Sequence, residues 1–194
     1  MLLKYLAFLA LVTGISTQGI SQKFTDALQK KDTVLAASLL KKGYDINSLN
    51  DNSSSALLDA CREPQADTNI VGFLLRHGAK VDYPVTKMGR TPLIVACAYY
   101  GDVALCRMLI NWGADVNAVT KDGVTALMKA ADIDKSDVVA YLLSKGANAT
   151  LRDAKGRTAL DYAKASTVDN FLIKMMPTCK VDKDATIALL TNTQ

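Results

Sequence analysis

The sequence predicts an all-α solenoid of about five helix-turn-helix repeats, joined by loops that resemble β-hairpins. A Gly-x-Thr-x-Leu pattern recurs at residues 89–93, 123–127 and 156–160, so its threonines lie 34 and then 33 residues apart. A second pattern has nearly the same period and starts at Gly43, Gly78, Gly113 and Gly146. Such internal similarity is the signature of a repeat array. Aromatic residues make up only 6% of the chain, and a core rich in Ala and Leu favours helices.

The first element is a predicted secretory signal peptide at residues 1–21. Lys4 is its only charge, an apolar run follows from Tyr5 to Val12, and a small and polar stretch comes next. The run is too short to span a bilayer as a helix, and the whole pattern is typical of an export signal. Cleavage after Ser21 would leave Gln22 as the first residue, and cleavage after Ser16 would leave Thr17. A buried N-terminal helix is the alternative interpretation.

The repeats are expected at about residues 22–51, 52–87, 88–120, 121–153 and 154–176. In the first repeat only the second half is clear, at residues 39–43, and the second carries an insertion at residues 62–67 in which Pro64 would end the first helix early. The third has one extra residue within residues 98–101, which lengthens the turn between its helices. The fifth is expected to stop after its second helix, near Met176.

The fourth repeat shows why these residues should form two packed helices. Thr125 can cap the first helix, and the small side chains of Ala130 and Ala131 allow a neighbouring repeat to approach closely. The second helix has an apolar stripe and ends at Gly146. Its stripe is formed by Val138, Val139, Leu142 and Leu143. A single repeat cannot bury both faces, so stacking must supply the core. In the tail, residues 177–194, a short helix from Asp184 to Thr191 could cover the last repeat.

Composition and missing motifs exclude several classes of function. The chain is 49% apolar and 22% charged, which excludes disorder throughout. A net charge of +4 is too weak to predict nucleic-acid binding. With one His, His77, and no Cys-x-x-Cys pair among its four cysteines, the chain lacks the common zinc sites. No GxSxG, HExxH, P-loop or GxGxxG motif is present. We therefore expect no enzyme activity, no metal and no cofactor.

These residues resemble the ankyrin repeat, whose pattern runs Gly-x-Thr-Pro-Leu-His, then a paired Ala, then Leu-Leu-x-x-Gly-Ala-Asp-Val-Asn. The resemblance covers about residues 22–176. Only the third repeat keeps the Pro, at Pro92, and none keeps the His. The family's His position holds Leu58, Ile94, Met128 and Asp161. The hydrogen bonds that this His usually makes are therefore absent, and apolar filling replaces them in three repeats.

The resemblance implies a non-catalytic module that binds another protein through its concave side, with walls made of loop tips and exposed ends of first helices. Residues of the kinds enriched in binding hot spots concentrate on the third repeat. The alternative is that Tyr99 and Tyr100 only pack the longer turn. Asn52, Arg62, Glu63 and Lys155 hold equivalent positions in the second and fifth repeats. The candidate partner-binding residues are Lys87, Met88, Arg90, Tyr99, Tyr100, Trp112, Lys121, Asp122, Val124, Asp132, Ile133 and Arg157.

The cysteines are expected to be buried free thiols. Cys61 and Cys97 hold equivalent positions in adjacent repeats, about 10 Å apart and beyond disulfide reach. Cys97 and Cys106 lie on the paired helices of one repeat and could approach each other. Cys179 lies in the tail without an obvious mate.

The expected function is that of a periplasmic or secreted binding protein, with no membrane insertion after signal cleavage. It is expected to be a monomer whose partner is another exported protein. The favoured hypothesis is an inhibitor of the immunity or self-protection type that blocks an exported enzyme such as a peptidoglycan hydrolase. The alternative is an adaptor or assembly factor that supports an exported, possibly haem-containing, enzyme.

Overall fold

The computed structural model describes residues 17–50, 52–63, 66–83, 88–99, 102–166 and 182–193. This part of the chain forms ten α-helices and no extended strands, as the predicted solenoid requires. Helices α3, α5, α7 and α9 pack side by side as an inner row, and α4, α6, α8 and α10 form the outer row. The helices are α1 Thr17–Gln29, α2 Thr33–Lys41, α3 Ala56–Arg62, α4 Thr68–Arg76, α5 Pro92–Tyr99, α6 Val103–Asn111, α7 Ala126–Asp132, α8 Ser136–Ser144, α9 Ala159–Ala165 and α10 Lys183–Thr191. None of the helices in these ranges is long and apolar enough to cross a membrane.

Side-chain caps set the start of both helices in a repeat. Thr125 caps α7 as predicted, since its hydroxyl accepts the Met128 N–H at 3.1 Å. The outer helices α4, α6 and α10 use aspartate instead, for example Asp102, whose carboxylate accepts the Ala104 N–H at 2.8 Å. Helix α8 is the exception, since Lys135 precedes it and makes no side-chain cap bond. After α8 the chain turns at Gly146, where a φ of +86° favours a residue without a Cβ.

The core confirms the predicted register. Leu58, Ile94 and Met128 fill the family's His position and are fully buried, so apolar packing replaces the polar side chain there. Asp161, the fourth residue at this position, is exposed and accepts the Thr158 N–H at 2.8 Å. Of the residues singled out in the fourth repeat, Leu143 is half-buried and the others are buried: Ala130, Ala131, Val138, Val139 and Leu142.

The first repeat has an inner helix that the repeat pattern did not reveal. Helix α1 begins at Thr17, its Phe24 and Ala27 are fully buried, and Ile20 packs against the core. The helix therefore extends across the bond between Ser21 and Gln22. Residues 1–16, which carry most of the predicted signal peptide, lie outside the described residues, so removal of residues 1–21 stays a prediction.

The predicted capping helix is confirmed and begins at Lys183. Helix α10 packs on α9 and α8, which is the position of an outer helix in the other repeats. Leu190 and Thr186 are its buried residues. The Asp182 N–H donates to the Asp134 carbonyl at 3.0 Å, which ties the helix to the fourth repeat. The expected second helix of the fifth repeat falls largely in residues 167–181 and, with Cys179, lies outside the described residues.

Hairpin-like loops link the repeats, as predicted, through isolated antiparallel bridges such as Val119 with Thr125. A recurring asparagine also couples neighbouring repeats. The Asn47 amide donates to the Gly78 carbonyl at 3.1 Å and accepts the Lys80 N–H at 2.9 Å. One junction further on, Asn117 makes the equivalent pair of hydrogen bonds to Gly146 and Asn148.

Asp82 interrupts this series at the junction between the second and third repeats. Its Oδ2 accepts the Asp115 N–H at 2.9 Å, as an asparagine oxygen would. The other oxygen, Oδ1, is buried and has no hydrogen-bond partner among the described residues. A carboxylate cannot donate to the Gly113 carbonyl, so half of the link is lost. Burial raises the pKa of Asp82; the Asp115 N–H opposes this shift and the Asp115 carboxylate adds to it.

Replacing Asp82 by Asn should therefore raise the free energy of unfolding by about 1 kcal/mol at pH 7, because one hydrogen bond is restored. The pKa of Asp82 is raised in the folded state, so native stability falls as the pH rises from the usual carboxyl range through the raised value. The gain from Asp82→Asn should accordingly shrink in acid. Urea denaturation at several pH values measures it, and Asn117→Asp, the matched control, should destabilise. Equal stability of Asp82→Asn and the natural chain at pH 7 would contradict this account.

Candidate protein-binding surface

The loop tips of the third, fourth and fifth repeats form one continuous row. The Lys121 N–H donates to the Met88 carbonyl at 3.0 Å, and the Ala154 N–H donates to the Asp122 carbonyl at 2.8 Å. These backbone bonds hold successive tips side by side. Met88 is 41% exposed, and Lys121 and Asp122 are also exposed. The structure thus brings three of the predicted partner-binding residues together, while Lys87 lies outside the described residues.

The far ends of the inner helices form a second row. Tyr99 is the last residue of α5 and is 44% exposed, and Asp132 and Ile133 end α7. Helices α5 and α7 pack side by side, and each follows its own loop tip. The C-terminal ends of the two helices, which carry these residues, therefore lie on the same side of the stack. Tyr100 lies outside the described residues. We call the two rows together the inner surface: Met88, Arg90, Tyr99, Lys121, Asp122, Asp132, Ile133 and Arg157.

Val124 and Trp112 differ from the other candidates, Val124 in its burial and Trp112 in its place on an outer helix. Val124 is half-buried and packs against the core. Trp112 is 47% exposed, but it caps the C-terminal end of the outer helix α6. Since α6 runs antiparallel to α5, Trp112 and Tyr99 lie at opposite ends of the helix pair, separated by about 13 Å along the axis. The structure does not bring Trp112 to the end of the repeat that carries Tyr99.

Arg157 is held by a hydrogen-bonded cluster that the sequence analysis did not identify. Its Nε and Nη2 atoms donate to Oδ2 of Asp153 at 2.9 and 2.7 Å. The Tyr162 hydroxyl donates to the same oxygen at 2.9 Å and accepts from Arg157 Nη2 at 2.7 Å. Arg157 therefore stiffens the fifth loop, and its partly exposed guanidinium is a fixed rather than a mobile charge.

The titration of this cluster follows from the same contacts. Burial opposes ionisation of Asp153, but the backbone and guanidinium of Arg157 and the Tyr162 hydroxyl hold the pKa of the carboxyl well below its usual range. Burial and the bond to Asp153 raise the pKa of Tyr162 to about 12. The cluster stays an ionised aspartate, a charged arginine and a neutral tyrosine at physiological pH.

Asp132 is likewise paired within the fold. The Lys129 ammonium lies 3.1 Å from its Oδ2 atom and 5.7 Å from the ring centroid of Tyr162. The repeat pattern points only to the ends of each first helix, so it does not indicate that Lys129 pairs with Asp132. The spacing of the two residues does indicate the pair, since residues three apart on a helix are neighbours.

The inner surface therefore has one exposed apolar side chain near each end of α5, with paired charges on the repeats that follow. Met88 and Tyr99 are exposed in the third repeat, and the Lys129–Asp132 pair and Arg157 follow on the fourth and fifth. On the other side, Arg62 lies 3.8 Å from Asp59 in the second repeat. Two open grooves of about 820 and 770 Å³ flank the loop between α2 and α3. Within the ranges that the structure describes, no group of three or more His, Cys, Asp or Glu residues could hold a metal ion.

Comparison with known families decides the assignment. The family model for three copies of the ankyrin repeat matches residues 24–120 and 97–185. The chain belongs to the ankyrin-repeat family. Ankyrin repeats are protein–protein interaction modules, so the inner surface of this ankyrin stack is a candidate site for a protein partner.

Several larger proteins are similar to this chain over part of their length. It is 40% identical over 126 residues to the Ankyrin repeat and KH domain-containing protein mask-1 of Caenorhabditis elegans, covering 64% of this chain and 4% of that protein. It is 29% identical over 140 residues to the Putative palmitoyltransferase ZDHHC13 of Danio rerio, with shares of 70% and 21%. Phosphocholine transferase AnkX of Legionella pneumophila is 30% identical over 133 residues, with shares of 68% and 12%. The chain thus spans at most about a fifth of the length of these three relatives.

Proposed function

We propose that this ankyrin protein is exported and acts by occupying the surface of another exported protein. The observation that carries the proposal is the continuous row of loop tips, with exposed Met88 at one tip, exposed Tyr99 at the far end of α5, and paired charges on the repeats that follow. Large amphipathic side chains surrounded by polar groups are the usual composition of a binding hot spot. The backbone bonds between loop tips hold this surface in shape before a partner arrives, which lowers the entropic cost of binding.

Blocking of an exported enzyme is the activity that we propose for this surface. A concave face of about five repeats can cover a standard interface of roughly 800 Å² per partner, which is enough to close an active-site cleft. A peptidoglycan hydrolase made by the same cell is the proposed class of target, since it works in the compartment to which the predicted signal peptide would direct this chain. Inhibition of that hydrolase by the purified protein tests the proposal. Increased hydrolase activity on addition would instead support the adaptor role.

Replacing Tyr99 by Ala should weaken partner binding about 30-fold or more, because a hot-spot side chain contributes at least about 2 kcal/mol. The helical signal and the melting temperature should stay nearly unchanged, since Tyr99 is 44% exposed at the end of α5. Arg90→Glu tests the neighbouring loop tip in the same way. Binding is measured by calorimetry with the target found in a pull-down from the cell envelope.

The matched control is Val34→Ala, which changes another exposed apolar side chain, on the outer helix α2. This variant should bind as well as the natural chain. Undiminished binding by Tyr99→Ala, or a loss confined to Val34→Ala, would place the site away from the inner surface. The outer helices and the tail from residue 177 would then be the surfaces to examine.

Export itself predicts a shortened N-terminus. The protein recovered from the periplasm or the medium should start at Thr17 or Gln22, as measured by intact mass and N-terminal sequencing. We expect Thr17 to give the more stable product, because cleavage there keeps the whole of α1, including Ile20, which packs on the core. An intact Met1 on a membrane-bound product would overturn the proposal of a cleaved signal.

A further inference from the structure

Each of the second, third and fourth repeats has one buried inner-helix residue and one buried outer-helix residue at equivalent positions. The inner position is the sixth residue of the inner helix. The outer position is the fourth residue of the outer helix. All six side chains are buried. Only the third of these repeats has cysteine at both positions. The pairs are Cys61 with Val71, Cys97 with Cys106, and Ala131 with Val139.

We propose that Cys97 and Cys106 are a disulfide-forming site that links α5 to α6. Their sulfur atoms lie 3.5 Å apart. A disulfide needs the two sulfurs at about 2.05 Å, so they must approach each other by about 1.5 Å. The second and fourth repeats do not have two cysteines at these positions, so the thiol pair is specific to the third repeat. This difference distinguishes the pair from ordinary small core residues. The site departs from the free thiols that the sequence led us to expect.

The co-reactant is a disulfide-bearing oxidant, such as oxidised glutathione or a dithiol oxidoreductase. One cysteine thiolate attacks a sulfur of the oxidant, which forms a mixed disulfide and releases one thiolate. The second cysteine then attacks the protein sulfur of that mixed disulfide and expels the other half of the oxidant. The two electrons of the cysteine pair and their two protons end on the oxidant, which leaves as two thiols.

Burial sets when this reaction can happen. Neither thiol is exposed in the folded repeat. The contact with Cys106, together with burial, also raises the pKa of Cys97, so little thiolate is present after folding. The bond should therefore form while the third repeat is still open, and it should resist reductants once the repeat closes. Cys61 is the competing thiol, but the partner position in its own repeat is Val71.

A bond at this place would strengthen the part of the stack that presents Tyr99. Tyr99 ends α5 two residues after Cys97, and Cys106 lies one turn into α6. The bond would close a loop that includes the turn between these helices and so limit separation of the two. The inference concerns the chain's own fold and stands whether or not the proposed partner exists.

The experiment refolds the full chain either with oxidised and reduced glutathione or with dithiothreitol. After oxidative refolding we expect an intact mass about 2 Da lower, two maleimide-reactive thiols in denaturant instead of four, and a linked peptide pair containing Cys97 and Cys106. The melting temperature should rise by about 5–10 °C relative to the reduced chain. Export is not needed for any of these readouts, so the result is separate from the proposed function.

Matched variants identify the pair. Cys61→Ala should still lose two thiols on oxidation, whereas Cys97→Ala and Cys106→Ala should not form the 97–106 link. In a chain that lacks Cys97 and Cys106, the double change Ala131→Cys and Val139→Cys should create a bond at the equivalent place in the fourth repeat. Four free thiols after oxidative refolding, a link that uses Cys61 or Cys179, or a lower melting temperature of the oxidised chain would overturn the proposal.

Discussion

Truncation of Leu109 to alanine should lower the free energy of unfolding by about 2–5 kcal/mol. Leu109 lies on the outer helix α6 and is fully buried between the two helical rows. Removing its branched end takes away apolar contact and leaves a cavity, because the surrounding residues relax only in part. Leu142 holds the same place on α8, is also fully buried, and should respond alike. Urea denaturation followed by the helical circular-dichroism signal measures both changes.

Leu35→Ala is the matched control for these truncations. The same atoms are removed from an outer helix, α2, but the Leu35 side chain is 44% exposed. Its loss should change the free energy of unfolding by no more than about 0.5 kcal/mol. A loss below about 0.5 kcal/mol for Leu109→Ala would mean that the repeats do not stack in this register.

Gly123→Ala should destabilise the chain by about 2–5 kcal/mol, from two causes that add. The φ of Gly123 is +75°, which an L-residue adopts at a cost of about 1–2 kcal/mol. An added Cβ would also lie 3.1 Å from the Asp153 Cα and 3.2 Å from the Arg152 carbonyl oxygen. Both atoms belong to the backbone of the next loop, so the loop itself must move. Such overpacking costs about 1–3 kcal/mol.

Gly156→Ala separates the two causes. Gly156 has nearly the same φ, +76°, but a Cβ at that position would meet nothing within 4 Å. This variant should lose only the conformational part, about 1–2 kcal/mol. Thermal and urea denaturation of the two variants side by side give the comparison. Equal losses at the two glycines would show that the loops of the fourth and fifth repeats are not in close contact.

Features that depend on local sequence were predictable. The cap at Thr125, the end of α8 at Gly146 and the buried stripe from Val138 to Leu142 each depend on residues within one or two turns. Because these local features recur with one period along the chain, the stacking of the repeats was predictable as well. Helix α1 was missed because it lacks the Thr-x-Leu start and overlaps a segment that reads as an export signal.

The candidate site was harder to predict, because charge pairing depends on how chain segments approach one another. Arg157 looked like an exposed cation in the repeat pattern, but the loop geometry brings Asp153 and Tyr162 against it. Trp112 precedes Gly113 and so looked like part of the loop wall. Its separation from Tyr99 follows from the antiparallel direction of α6, which the repeat pattern alone does not give.

The carboxylate at Asp82 has a consequence for how the whole array loses its structure. In a linear stack, cooperativity depends on nearest-neighbour coupling, and the weakest interface divides the array into units that can open separately. The junctions at Asn47 and Asn117 each have two side-chain hydrogen bonds across the interface, whereas the junction at Asp82 has one. The loops of the second and third repeats can therefore separate more readily than the loops at the other two junctions, and acid, by protonating Asp82, should reduce this difference.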